Sequence, residues 1–275
     1  MDWNLKDLYK SVDSKEINSD FTKLDLKSKK FNKKYRNRIS DSSSPKLIFE
    51  SLVEIEKIYE GLGKISSYAS LLFAADTNNE KYSKFYQNVS ERISDIRKNL
   101  IFYFLSWNKI SEKRAKEIYS NPALKKYSHL LKSERKYKDF MLTEPEEKIL
   151  DKKSITSSRA FNRLFDQTLN NLQFEMKFKN KTALLTETEV LSLLYDKNRK
   201  VRISASDSLT KGLKSERKLL TFIFNQILTD SKITTEIRGH KTPMSARNLS
   251  NEISQKTVQA LIDTCNEYNK VPIRY

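Results

Sequence analysis

Residues that punctuate a chain are scarce here: only four glycines (Gly61, Gly63, Gly212 and Gly239) and five prolines occur in 275 residues. Glycine supplies the backbone freedom of tight turns, and proline stops helices. With so few of either, the chain is poorly suited to a many-turned β architecture and holds no Gly-rich phosphate loop. The fold class predicted is all-α, built mainly of long antiparallel helices.

Hydrophobic periodicity agrees. Ile48, Leu52, Ile55 and Tyr59 recur at helical spacing, and Phe85, Val89, Ile93, Ile96, Leu100, Tyr103 and Trp107 continue the rhythm, predicting long core-facing helices. Asp76-Thr77-Asn78-Asn79 is the clearest turn between them, and Asn121-Pro122 breaks a later helix. Thr143-Glu144-Pro145-Glu146 restarts one, because Thr can cap free amides, Glu three residues on can reach back, and Pro is tolerated in the first turn.

The period then drops to two: Leu172, Phe174, Met176 and Phe178 alternate with Gln173, Glu175 and Lys177, the pattern of a short strand. Lys179-Asn180-Lys181 is read as the turn into Thr182 to Leu185, giving one small β-hairpin near residues 172–185. Thr186 with Glu189 forms a second capping box. Arg217 to Asp230 carries Leu219, Leu220, Ile223, Phe224, Ile227 and Leu228, a stripe wide enough to predict a helix sandwiched between others and ending near Ser231. A loop around Arg238 to Pro243 precedes a last helix over Ser254 to Tyr268. Neither an internal repeat nor a low-complexity tract is present.

The balance of 52 basic against 35 acidic residues gives a net charge of +17, which raises nucleic acid as a partner. Lysines mixed with Glu, Asp, Ser and Asn weigh against a focused groove. The densest basic run, Lys27 to Arg38, interleaves Phe31 and Tyr35 four residues apart and reads as the solvated face of an amphipathic helix. Cys265, the only cysteine, cannot form an internal disulfide and fits a reducing, cytoplasmic setting. No stretch approaches the roughly 20 apolar residues that span a bilayer.

Catalytic groups find little support. His129 and His240 are far apart in sequence, and neither has a second histidine four residues on, so no two-histidine zinc helix is present. His129 is read as a helix-surface residue and His240 as a loop residue. Cys265 lies in a predicted helix without a local nucleophile signature and is read as a small core residue. No Gly-x-Ser-x-Gly elbow occurs. Glu146 and Glu147 are explained by the helix dipole. No catalytic residue, metal ligand or substrate contact is nominated.

Three stretches together resemble the amino-terminal half of oligoendopeptidase F, a zinc metallopeptidase related to the thimet oligopeptidases. They are Trp3-Asn4-Leu5-Lys6-Asp7-Leu8-Tyr9 with Tyr68-Ala69 and the Asp76-Thr77 turn; Leu142 to Leu150 running into Ala160-Phe161-Asn162-Arg163-Leu164-Phe165-Asp166; and Asp196, Val201, Arg202 and Ala205 followed by Arg238-Gly239, Pro243, Leu249-Ser250-Asn251 and Arg274-Tyr275. Ser157-Ser158 departs from the family, which commonly has a Gly there. The resemblance implies three parts: an amino-terminal helical region at 1–112, an oligoendopeptidase F-type domain at 113–182 ending in a strand, and the start of a peptidase domain at 183–275. It implies a parent that hydrolyses oligopeptides with zinc held by a His-Glu-x-x-His helix, which would lie beyond Tyr275. The chain alone is then expected to hold no cofactor and to be inactive, with a separate catalytic chain as a conceivable partner and no membrane. Helices meant to pack on the missing half would leave an apolar face open, notably Val258, Leu261 and Ile262, and promote self-association. Competing readings are a stand-alone helical module binding peptides or proteins and, with less support, a basic nucleic-acid binder.

Overall fold

The structure, a computed structural model, describes residues 3–178 and 181–274. It is all-α apart from one two-stranded antiparallel sheet. The helices are α1 (Lys15–Tyr35), α2 (Pro45–Ala75), α3 (Glu80–Arg97), α4 (Phe102–Lys109), α5 (Glu112–Tyr119), α6 (Ser128–Arg135), α7 (Glu144–Ser154) and α8 (Ser158–Asn171) before the hairpin. After it come α9 (Glu187–Leu193), α10 (Arg199–Ser215), α11 (Arg217–Ile237), α12 (Pro243–Ser250), α13 (Gln255–Tyr268) and α14 (Lys270–Ile273). Strands β1 (Phe174–Phe178) and β2 (Lys181–Leu185) pair with Phe174 opposite Leu185 and Met176 opposite Ala183. The turn read at Lys179-Asn180-Lys181 includes residues 179 and 180, which lie outside the described residues.

Two compact units are each assembled from three separated segments. The first comprises Met1–Leu24, Glu60–Asp95 and Leu150–Asp230. Within it Tyr9 meets Tyr68 edge-on at 5.3 Å between ring centres and donates its hydroxyl hydrogen to Asp20 at 2.9 Å. A second cluster lies under the hairpin, where Leu172, Phe174 and Met176 on one strand face bury against Val190, Val201 and Ala205 of α9 and α10. The period-two alternation therefore puts its apolar set inward, and Gly212 of α10 leaves room for the Phe174 ring.

The other unit comprises Asp25–Tyr59, Ile96–Ile149 and Ser231–Tyr275. Its core is aromatic: Phe31 packs on Tyr35 at 4.8 Å and on Tyr103 at 5.5 Å, and all three are buried. The polar ends of the rings are satisfied, since Ser51 Oγ lies 2.7 Å from the Tyr103 hydroxyl and Trp107 Nε1 donates to the Leu131 carbonyl at 3.0 Å.

Three expectations need correction. The apolar rhythm from Phe85 to Trp107 is not one helix: α3 ends at Arg97 and α4 starts at Phe102. Side chains far away in sequence hold the break, as Asn32 Nδ2 donates to the Asn99 carbonyl at 2.7 Å and Asn99 Nδ2 to Ser28 Oγ at 3.0 Å. The helix from Arg217 extends beyond Ser231 to Ile237, and among its apolar residues only Ile223 is buried, so it is not sandwiched. Phe224 and Leu228 are 61% and 51% exposed. Finally, Cys265 is an exposed residue of α13 and not a core one.

Candidate functional site

Helix α7 begins as its sequence foretells. The Thr143 backbone N–H donates to Glu146 Oε2 at 2.8 Å and the Thr143 hydroxyl donates to the same oxygen at 2.6 Å. That start fixes two further carboxylates. Glu144 receives Arg36 Nη1 and Nη2 at 3.0 and 2.8 Å, with Lys148 Nζ at 2.6 Å. The Arg36 hydrogen bonds lead in holding the Glu144 pKa well below the usual carboxylate range, at about 2. Glu147 receives Arg238 and the Leu142 N–H; burial pushes its carboxyl up, but these donors prevail and leave it below its ordinary value. The helix dipole, which is all the sequence offers for Glu146 and Glu147, does not reveal the Glu147–Arg238 ion pair.

Beside this pair, within the second unit, opens a cleft of about 580 Å³. Phe104 and Leu105 of α4 line it together with Tyr137, Phe140 and Met141 from the segment after α6. His240 closes another side, its ring stacked on Phe140 at 4.0 Å and 18° between planes. Burial, assisted by the charge of Arg238, lowers the His240 pKa and favours the neutral ring, and its Nδ1 is buried with no hydrogen-bond partner. Glu134 contributes a partly buried carboxylate to the same lining; burial raises its pKa and no neighbouring donor offsets that shift. The cleft thus combines aromatic walls with a partly buried carboxylate and an imidazole, on segments whose convergence no local motif signals.

The remaining polar residues singled out in the sequence do not assemble a reaction centre. His129 lies on α6 with Nε2 3.1 Å from Glu252 Oε1. Among the described residues no three His, Cys, Asp or Glu side chains converge as a metal site. In the basic run, Lys34 Nζ lies 2.5 Å from Glu54 Oε1 and Arg36 is held by Glu144, so these two cations have protein partners. No described helix is long and apolar enough to cross a membrane.

With this geometry in view, the relatives are informative. The family described as Oligopeptidase F matches residues 107–174, which run from α4 into β1. Oligopeptidase PepF of Bacillus subtilis is 23% identical over 253 residues, covering 88% of this chain and 36% of that protein. The oligoendopeptidase F homolog of Borreliella burgdorferi is 27% identical over 274 residues, covering 96% of this chain and 43% of that protein. The chain is oligoendopeptidase F-like. It corresponds to the amino-terminal part of such proteins and spans less than half the length of these two relatives. The crystal structure of oligoendopeptidase-F from Enterococcus faecium shares its fold, with a TM-score of 0.79 at 18% identity over 92% of this chain and 50% of that one.

Proposed function

We propose that this chain is the non-catalytic amino-terminal portion of an oligoendopeptidase F-like zinc metallopeptidase that hydrolyses oligopeptides in the cytoplasm. One observation carries the reading: likeness to the Borreliella burgdorferi homolog extends over 96% of this chain but only 43% of that protein. The greater part of the relative thus has no counterpart among these residues, whose sequence holds no His-Glu-x-x-His motif. Zinc would be held by the remaining part of the protein, where it would polarise the scissile carbonyl and activate water.

The purified chain, supplied with zinc and a quenched fluorogenic oligopeptide, should give no turnover above blank. Cleavage should appear when it is co-expressed with the carboxyl-terminal remainder of a relative such as Bacillus subtilis PepF, provided that remainder alone is weaker. Zinc-dependent cleavage by this chain alone would overturn the reading.

A further inference from the structure

We propose that the cleft bounded by Glu134, Tyr137, Phe140 and His240 binds an organic cation, an ammonium or guanidinium group on an apolar stem, as carried by a basic residue of a peptide. The inference concerns binding by this chain alone and stands apart from the peptidase reading.

Four features of the cleft point to this chemistry. Glu134 places a partly buried carboxylate on the cleft lining, where a ligand that brings N–H groups and positive charge can pair with it. The rings of Phe104, Tyr137 and Phe140 lie on the same lining, and aromatic faces attract cations. Leu105 and Met141 supply apolar surface of the kind that covers a methylene stem. The His240 ring, stacked on Phe140 at 4.0 Å, extends the aromatic lining of the same cleft.

The protein's own cations do not answer Glu134. Arg238 places both Nη atoms on Glu147, and Arg97, also on the lining, is engaged in an interaction of its own. An anionic ligand would face an uncompensated carboxylate. The volume, about 580 Å³, is that of a site for one side chain and its flanking backbone.

Titration of the full chain, followed by two-dimensional amide NMR, tests this. The ligands are N-acetyl-lysine methylamide, N-acetyl-arginine methylamide, leucine amide with its free amino group, and neutral N-acetyl-norleucine methylamide. Saturable shifts are expected at Tyr137, Phe140 and His240 with at least one cationic ligand, at an affinity at least about tenfold above that of the norleucine compound. Preference for the lysine or arginine compound identifies a basic side chain as the occupant, and preference for leucine amide a peptide amino terminus. Glu134→Gln should weaken the cationic ligand by about tenfold or more, without lowering Tm, because it removes a charge from a desolvated position. Equal binding of the norleucine compound, unchanged affinity in Glu134→Gln, or no shift in the cleft with any ligand would overturn the proposal. The neutral comparison uses the unaltered chain and decides the matter however the variant folds.

Discussion

Arg238 and Glu147 meet as two parallel forks, Nη1 on Oε1 and Nη2 on Oε2, each at 2.8 Å. Arg238 Nη1 also donates to the Phe140 carbonyl at 3.1 Å, and the Phe140 ring carries the stacked His240. One guanidinium thus ties the start of α7, the cleft wall and the loop after α11 together.

Arg238→Met should therefore destabilise the chain by about 2 kcal/mol, since it strands a largely buried carboxylate. Arg238→Lys should recover only part of this, because an ammonium cannot reproduce the fork. Urea denaturation followed by circular dichroism measures both; wild-type midpoints in the two variants would show the pair to be inert.

Acid should weaken the Arg36–Glu144 contact in a defined window. The folded pKa of Glu144, about 2, lies below the ordinary 4.5, so this stabilisation is complete above pH 4.5 and is lost as pH falls towards 2. A shift of that size corresponds to about 3 kcal/mol, and solvent screening at so open a pair reduces it to about 1 kcal/mol. In Glu144→Gln, stability measured from pH 5 to pH 2 should fall less steeply than in the wild type.

Two glycines should respond oppositely to alanine. A Cβ at Gly212 would stand 2.4 Å from Phe174 Cδ1, inside a buried cluster, so Gly212→Ala should cost about 1–3 kcal/mol. At Gly63, within α2, a Cβ would meet nothing within 4 Å, so Gly63→Ala should gain about 0.5–1 kcal/mol from helix propensity. Thermal melts of the pair decide it; equal shifts would contradict the packing described for α10.

The uncovered stripe of α11 should drive self-association. Replacing the exposed Phe224 and Leu228 by Lys and Glu should reduce the sedimentation coefficient at high concentration and lower binding of a hydrophobic dye, with stability changed by no more than about 0.5 kcal/mol. A wild-type chain that sediments as a monomer at every concentration would remove the premise.

Signals that close within one segment are legible in the sequence, and contacts between distant segments are not. The starts at Thr143 and Thr186 are legible because each box closes within four residues, and β1 because its alternation is a property of the strand itself. The break between α3 and α4 is not, since Ser28 and Asn32 hold it from roughly 70 residues away. Periodicity reveals that α11 has an apolar face but not whether anything lies upon it. For the same reason Cys265, inside a helical stretch, reads as a core residue in the sequence although it is exposed. The cleft was invisible because Glu134 and His240 belong to segments more than 100 residues apart, joined only by folding.

Cys265 is the only thiol in the sequence, and its outward position on α13 gives that helix one chemical address. A maleimide dye will label it stoichiometrically in the isolated chain. Whatever later comes to rest over α13 will announce itself as a slower alkylation rate, with no variant needed to install the reporter.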